Sequence, residues 1–198
     1  MYCDAFNCTP NNLLLRYAIA FWETGLSRLE VGPGVKFHLI DRITSLEPGK
    51  KLVCYKNLTM AEEYLFDHFP GFPVMPGVLM LETLVQAGAW LLRLSEDFRQ
   101  SMIVLRDARN VKYGTFMDPG NRMEVKVELL ERTETGATFK GSGSKNGQST
   151  VNARFTVAAY NLCDSNPGLA DGAQRDEALI KGLRLRAGLI WTAKPALG

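Results

Sequence analysis

One apolar segment stands out from the rest of the chain. Residues 77–94 are apolar on nearly every side of a helical projection, with Glu82 and Gln86 as a polar pair near the middle. A helix of this kind is buried on most sides rather than along one stripe. The segment has the length of a marginal membrane span, but an ionisable Glu82 would be costly in lipid. The pattern therefore predicts a long helix at the centre of a folded domain.

Alternating polar and apolar positions flank this helix on both sides. Before it, residues 35–46 and 51–58 predict two strands joined by the turn Glu47-Pro-Gly-Lys, and Thr59 followed by Glu62 predicts a short capped helix. After it, four further segments predict strands: residues 102–108, 122–131, 137–145 and 148–161. The last two are joined by Asn146-Gly147, a hairpin turn. The fold class is therefore α+β, an antiparallel sheet of about six strands bent around one helix.

The two ends of the chain differ from this middle part. Residues 1–34 predict an extension that is helical or disordered and that ends at Gly32-Pro-Gly. The domain itself is expected over residues 35–162. Residues 163–198 begin polar and turn-rich and continue as a basic, partly amphipathic segment over residues 178–194. Two interpretations stay open for this tail: a disordered or surface-packed segment, and a helix that binds a partner.

Composition narrows the function classes. Lys and Arg number 23 against 21 Asp and Glu, which is too balanced to indicate a nucleic acid or a membrane surface as the main partner. The 4 cysteines form no CxxC pair, and the 2 histidines lie apart from them. This usage predicts a reducing compartment, the cytoplasm, and no structural zinc.

Candidate chemistry lies at the start of the long helix. His68 opens the stretch His68-Phe-Pro-Gly-Phe-Pro-Val-Met-Pro-Gly-Val-Leu-Met-Leu-Glu82. Each Pro stiffens this loop, and a helix that begins at Gly77 presents unpaired N–H groups. His68 and Glu82 are therefore candidate acid and base groups, and the Gly77 amide is a candidate oxyanion donor. The second histidine, His38, is interpreted as structural, and Asp41 with Arg42 as a structural pair.

The motif that runs from His68 through Glu82 to Gln86-Ala-Gly resembles the signature of the FabZ-type 3-hydroxyacyl-[acyl-carrier-protein] dehydratases, of the FabA/FabZ family. The similarity extends over residues 37–160 and includes Glu47-Pro-Gly and Pro119-Gly120. It implies the hot-dog fold, a strongly bent antiparallel sheet wrapped around one helix. The chain departs from the family pattern at Gly32-Pro-Gly-Val-Lys-Phe-His and at Phe72, where Arg or Asp is common.

The resemblance also implies an activity, dehydration of (3R)-3-hydroxyacyl-[acyl-carrier-protein] to the trans-2-enoyl product in fatty-acid biosynthesis. His68 would be the base, Gly77 N–H the oxyanion donor and Glu82 the acid, with Gln86 as support and no metal or cofactor. His and Glu of one site would come from different subunits, which implies a homodimer at least and allows a trimer of dimers.

Further residues are expected around that site. Candidates for the substrate tunnel are apolar residues that are equally good core residues: Phe72, Pro76, Val78, Met80 and Leu81. Candidates for contact with the acidic carrier protein are basic residues that strand edges also explain: Arg106, Arg109, Lys112 and Arg122.

Four alternatives stay open at this point. A dehydratase-isomerase would typically carry Asp at the position of Glu82, and a thioesterase would generally lack the His-Phe-Pro-Gly loop. A dehydratase of a specialised lipid or polyketide pathway carries the same motif. A non-catalytic scaffold would not need His68, Gly77 and Glu82 together.

Overall fold

The structure is a computed structural model that describes residues 37–165, 168 and 171–192. The predicted extension at residues 1–34 lies outside the described residues, as does the end of the predicted tail. The elements below are given in chain order. They are β1 (Arg42–Glu47), β2 (Lys51–Asn57), a single 3-10 turn (Glu63–Leu65), α1 (Gly77–Ser95), β3 (Met102–Tyr113), β4 (Arg122–Thr133), β5 (Gly136–Lys145), β6 (Gln148–Tyr160), α2 (Leu162–Ser165) and α3 (Gly172–Ile190).

All six strands form one sheet in the order β1-β2-β4-β5-β6-β3, and every neighbouring pair is antiparallel. The helix α1 packs against this sheet and contacts β2 to β6. The predicted hot-dog architecture is therefore confirmed. Among the described residues, α1 is the one helix long and apolar enough to cross a membrane, but it lies mostly buried in the domain like the core helix of a globular protein.

Glycines let the helix lie close to the sheet. A Cβ atom on Gly88 of α1 would stand 3.1 Å from the Phe155 ring and 3.2 Å from the Phe139 ring. A Cβ atom on Gly141 of β5 would meet Phe155 and Leu84 at similar distances. The two phenylalanine rings stack on each other with centroids 5.3 Å apart, so the centre of the core is an aromatic pair under a helix that carries no side chain at that point.

Three local predictions need correction. The first strand begins at Arg42 rather than at residue 35, because Leu39 and Ile40 are buried consecutively and break the alternation of a strand. The predicted capped helix is a single 3-10 turn at Glu63–Leu65, and Thr59 Oγ1 accepts only from Ala61 N at 3.3 Å.

The expected Asp41–Arg42 pair is also wrong. Asp41 accepts from Asn57 N at 2.6 Å and from Lys56 Nζ at 3.5 Å, whereas Arg42 donates to Thr192 Oγ1 at 3.3 Å. Neighbouring side chains in an extended segment point to opposite sides, so each finds its own partner.

Of the basic segment predicted over residues 178–194, residues 178–190 belong to α3, which begins earlier, at Gly172, and ends at Ile190. Residues 193 and 194 lie outside the described residues. Asp176 anchors this helix, because it accepts from Leu162 N at 2.8 Å, from Cys163 N at 3.0 Å and from the Ser101 hydroxyl. Farther along, Arg184 donates to Asp97 Oδ1 at 2.7 Å. The helix therefore packs on the domain, and binding of a partner to it stays a prediction.

Candidate active site

The loop between His68 and α1 is held by backbone hydrogen bonds. Phe69 and Phe72 exchange N–H to carbonyl bonds of 3.1 and 2.9 Å, which close a tight turn around Gly71. Gly71 has a φ of 81°, a value that glycine adopts without strain. Val74 N then bonds His68 O at 3.0 Å, and Met75 N bonds Met117 O at 2.8 Å. The loop is thus fixed at both ends before the helix begins.

This turn orients the His68 ring. Its Nδ1 lies 2.9 Å from Val74 O. A carbonyl oxygen can only accept, so Nδ1 carries the proton and a neutral ring keeps its lone pair on Nε2. The ring also stacks on Phe69 with centroids 4.2 Å apart. His68 is half-buried.

A cavity of about 220 Å³ lies beside His68. Its walls come from the loop, from the start of α1 and from the segment that follows β3. The lining residues are His68, Val74, Met75, Gly77, Met80, Tyr113, Gly114, Thr115 and Phe116. The structure therefore brings His68 and Gly77 to one cavity, as the sequence predicts.

The start of α1 supplies a free amide at this cavity. Pro76 stands at the N-cap position and has no N–H, and the N–H groups of Leu79 and Met80 both turn back to Pro76 O. Within the described part of the chain, Gly77 N–H donates to no acceptor, as expected for the first turn of a helix. A Cβ atom at Gly77 would stand 3.1 to 3.3 Å from the Tyr113 ring, so glycine allows this close approach.

Glu82 is held on α1 by a short chain of hydrogen bonds. Gln86 Nε2 donates to Glu82 Oε1 at 3.1 Å, while Leu39 N donates to Gln86 Oε1 at 3.0 Å. Because the Leu39 amide can only donate, it fixes the orientation of the Gln86 amide group. The support that the sequence predicts for Gln86 thus has a geometric basis.

Burial raises the pKa of Glu82 to about 7, and this effect outweighs two weaker ones that lower it, the Gln86 hydrogen bond and the charge of Arg93. Desolvation disfavours the charged carboxylate, which is the usual reason for such a shift. Burial therefore favours the protonated form of Glu82. A carboxyl of this kind can act as a general acid.

The cavity of one chain does not contain both titratable groups. The described residues that line it include His68 but not Glu82. Several large apolar side chains are exposed in the chain around His68, at the start of α1 and after β3. They are Phe66, Phe69, Phe72, Val78 and Phe116. A cluster of this kind is typical of a surface that a partner covers.

The predicted tunnel residues separate into different environments. Met80 is buried and lines the cavity. Phe72 meets the cavity residue Phe116 edge to face at 5.7 Å. Pro76 and Leu81 are half-buried, and Val78 is 59% exposed.

The predicted basic contacts do not form one cluster. Arg106, Arg109 and Lys112 lie on the edge strand β3, whereas Arg122 lies on β4 with β5 and β6 between them. The Arg122 guanidinium covers the Tyr55 ring at 4.1 Å, and Arg109 pairs with Asp107 at 2.7 Å.

Two kinds of site residue were missed from the sequence. Tyr113, Thr115 and Phe116 line the cavity although they lie some 45 residues after His68. Tyr113 ends the run Asn110-Val-Lys-Tyr, which is part of the family resemblance, but the sequence assigned no role at the site to any of the three. The Leu39 amide is a backbone group, so no side-chain pattern could indicate it. Within the described ranges, no group of three or more His, Cys, Asp and Glu side chains is arranged to hold a metal ion.

Comparison with known proteins places these features in a family. The sequence profile of the FabA-like domain matches residues 32–154, so the chain belongs to the FabA-like family. Curated relatives are named 3-hydroxyacyl-[acyl-carrier-protein] dehydratase FabZ. The relative from Anaeromyxobacter sp. is 40% identical over 123 residues, which are 60% of this chain and 78% of the relative. The one from Bacillus subtilis is 35% identical over 122 residues, covering 62% and 86%.

The comparison with solved structures supports the fold. The dehydratase heterocomplex ApeI:P from Xenorhabdus doucetiae matches with a TM-score of 0.54 at 19% identity and covers 63% of this chain and 84% of that one. At this identity the match bears on the fold alone. It agrees with the six-stranded sheet and central helix described above.

Proposed function

We propose that this protein dehydrates (3R)-3-hydroxyacyl-[acyl-carrier-protein] to trans-2-enoyl-[acyl-carrier-protein] in fatty-acid biosynthesis, in the cytoplasm. The observation that carries the proposal is that one motif supplies both a group suited to act as a base and a group suited to act as an acid. His68 has its Nδ1 proton engaged by Val74 O, and Glu82 is a buried carboxyl with a pKa of about 7. Family membership and the FabZ relatives support the same activity.

His68 takes the role of base. The reaction begins when Nε2 removes a proton from the carbon next to the thioester carbonyl, and the electron pair moves toward the carbonyl oxygen. The Nδ1–H to Val74 O bond at 2.9 Å keeps the ring in the tautomer that this step needs.

Gly77 N–H receives the charge that develops on the carbonyl oxygen. It lies in the first turn of α1, where the helix dipole favours negative charge, and it lines the same cavity as His68. The absence of a side chain at Gly77 keeps that approach open.

Glu82 takes the role of acid. As the electron pair returns to form the double bond, the carbon–oxygen bond at the 3-position breaks and Glu82 gives its proton to the leaving hydroxyl, which departs as water. The Leu39 amide and Gln86 hold the carboxyl in position. No cofactor takes part in these steps.

The complete site would combine His68 and Gly77 of one chain with Glu82 of the partner subunit. Two observations support this: the His68 cavity is lined without Glu82, and large apolar side chains are exposed in the segments that form it. A homodimer is the minimal assembly under this proposal, and a trimer of dimers is compatible with it.

The acyl carrier protein would dock on basic residues of the outer sheet face. Lys140 of β5 stands opposite Arg154 of β6, which stands opposite Arg109 of β3. Like charges directly opposite one another are unfavourable unless an anion neutralises them. A groove of about 330 Å³ beside them is lined by Lys112, Lys140 and Arg154. Arg106 and Arg122 lie outside this groove and stay predictions.

An activity assay on the purified protein tests the proposal directly. Wild-type protein is expected to convert 3-hydroxybutyryl thioesters to the enoyl product, and His68→Ala and Glu82→Gln are each expected to lower the rate at least about a hundredfold. Thr83→Val, a substitution beside Glu82, serves as the matched control and should keep the rate. Wild-type turnover in both active-site variants, or release of free thiol in place of enoyl product, would overturn the proposal.

A further inference from the structure

The helix α3 lies beyond the part of the chain that matches the family. The family profile covers residues 32–154, whereas α3 spans Gly172–Ile190. Leu179, Ala187 and Ile190 of this helix are buried, each with 8% or less of its surface exposed. Asp176 anchors the first turns through the backbone bonds described above. Packing of this kind fixes the position of a helix, so the polar side chains of α3 meet fixed points of the domain.

One arginine of α3 bonds the backbone of the domain. Arg186 is half-buried, and its Nη2 donates to Ile40 O at 3.2 Å. Ile40 itself is only 1% exposed. A hydrogen bond from a charged donor is stronger than one between neutral groups, and a buried carbonyl that loses its donor is destabilised. Arg186 therefore holds a backbone group of a buried residue in place.

The Ile40 carbonyl belongs to a peptide group that is held from two sides. The N–H of the same planar group, that of Asp41, donates to Tyr55 O of β2 at 2.9 Å. Leu39 directly precedes this peptide group and lies outside the strands, since β1 begins at Arg42. The Leu39 amide therefore takes its orientation from the neighbouring peptide group rather than from a strand ladder.

The Leu39 amide leads directly to the active site. Its N–H donates to Gln86 Oε1 at 3.0 Å, and Gln86 Nε2 donates to Glu82 Oε1 at 3.1 Å. Together with the bond from Arg186 to Ile40, three hydrogen bonds of ordinary length connect α3 to the Glu82 carboxyl. The step from Ile40 back to Leu39 joins neighbouring residues, so the connection has no gap.

We propose that Arg186 of α3 is a positioning residue of the active site, which orients the Glu82 carboxyl through the backbone at Ile40. The Leu39 amide and Gln86 transmit this orientation. The inference rests on the proposed function, because it gives Arg186 its role through Glu82 as the acid. A proton donor acts efficiently only when it is aimed at the leaving oxygen, so its misplacement lowers turnover more than substrate affinity.

The bond from Asp41 N to Tyr55 O limits the expected size of the effect. It stays in place when Arg186 is replaced, so the peptide group is loosened rather than released. A misplacement of about 1 Å that originates far from the chemistry can lower a rate about a hundredfold, and a smaller one lowers it less. We therefore expect the loss of Arg186 to lower kcat about tenfold, less than the loss of the Glu82 carboxyl itself.

A second arginine of α3 provides the matched control. Arg184 is exposed and donates to Asp97 Oδ1 at 2.7 Å and to Asp97 O at 2.9 Å, just beyond the C-terminal end of α1. These hydrogen bonds fasten the same helix to the end of α1 instead of to the segment that carries Leu39. Arg184→Met should therefore keep the wild-type kcat.

The experiment is a double-mutant cycle on the full-length protein. Values of kcat and KM for 3-hydroxybutyryl thioesters are measured for wild type, Arg186→Met, Gln86→Leu and the variant that carries both substitutions. Arg186→Met should lower kcat about tenfold and leave KM close to that of wild type. In the Gln86→Leu protein the connection is already broken, so Arg186→Met should lower kcat little further.

A general weakening of the fold would give a different result. Arg186→Met would then lower kcat by the same factor with and without Gln86→Leu, and that additivity would overturn the inference. A wild-type kcat in Arg186→Met would overturn it as well, as would an equal loss of kcat in Arg184→Met.

Hydrogen exchange of the Leu39 amide, followed by NMR, tests the same connection without turnover. Arg186→Met should speed this exchange about tenfold, Arg184→Met should not, and unchanged exchange in Arg186→Met would overturn the inference. If Arg186→Met does not fold, Arg186→Gln takes its place, and failure of both to fold would contradict a positioning role, because Arg186 would then hold the domain as a whole. If wild type does not dehydrate 3-hydroxyacyl thioesters, the proposed function fails, and the exchange of the Leu39 amide alone then decides whether Arg186 fixes this segment.

Discussion

Replacing Gln86 by leucine removes the side chain that joins the Leu39 backbone to Glu82. Leucine has nearly the same volume but offers neither an acceptor nor a donor. The Leu39 N–H to Gln86 Oε1 bond of 3.0 Å and the Gln86 Nε2 to Glu82 Oε1 bond of 3.1 Å are both lost. Leaving a partly buried amide without an acceptor costs about 1 to 3 kcal/mol.

The same substitution changes the titration of Glu82. The Gln86 hydrogen bond lowers the pKa of Glu82 against burial, so its removal should raise that pKa above about 7. We expect Gln86→Leu to lower the unfolding free energy by about 1 to 3 kcal/mol, which corresponds to a fall in Tm of roughly 3 to 10 °C for a domain of this size. The alkaline limb of the turnover profile should move to higher pH.

Denaturant unfolding and a pH series of initial rates measure the two effects of Gln86→Leu. Thr83→Val is the matched control, because the Thr83 hydroxyl is buried on the same helix but donates only to Leu79 O at 2.7 Å within it. That variant should keep the wild-type pH profile. A Gln86→Leu protein as stable as wild type, with an unchanged alkaline limb, would refute the hydrogen-bonded support described for Glu82.

Two further predictions concern packing and pH. Gly88→Ala should lower the unfolding free energy by about 1 to 2 kcal/mol, because its Cβ would crowd Phe155 at 3.1 Å and the better helix propensity of alanine offsets only part of that strain. The control is Gly182→Ala on α3, where no described atom lies within 4 Å of the added Cβ, so that alanine should stabilise the protein. Equal effects of the two substitutions in denaturant unfolding would contradict the packing of Gly88. The pKa of Glu82 is raised from 4.5 to about 7 in the folded state, which therefore binds a proton more tightly than the unfolded chain does. The unfolding free energy should therefore fall by roughly 2 to 3 kcal/mol as the pH rises from below 4.5 to above 7. Glu82→Gln should abolish this fall in the unfolding free energy, which denaturant unfolding at pH 4.5 and 8 measures. If the variant lost as much stability between these two pH values as wild type, the raised pKa of Glu82 would be contradicted.

Local patterns were enough to predict much of the fold. The helix α1 begins at Gly77 as expected and ends at Ser95, one residue beyond the predicted end. It was predictable because an apolar run that long can be buried only as a central helix. Strands β4 to β6 follow their alternation closely. The motif from His68 to Glu82 also indicated the chemistry, since it combines an imidazole, a helix start with unpaired N–H groups and a carboxyl in an apolar helix.

The remainder depends on contacts that no local pattern contains. Leu39 supports Gln86 across 47 residues, and Tyr113 reaches Gly77 from the far end of β3. Arg93 stands near the end of α1, and the structure buries it although its charge would favour an exposed position. Such pairings arise only when the sheet closes around the helix, so sequence spacing does not reveal them.

Mixing two inactive variants tests most directly whether each site takes His68 from one subunit and Glu82 from the other, as proposed above. His68→Ala and Glu82→Gln proteins are each purified, combined, unfolded and refolded together, and assayed with 3-hydroxybutyryl thioesters. Random pairing gives about half mixed dimers, each with one site that holds both wild-type groups. We predict recovery of about a quarter of the wild-type rate per chain. A refolded mixture no more active than the separate variants would contradict the shared site.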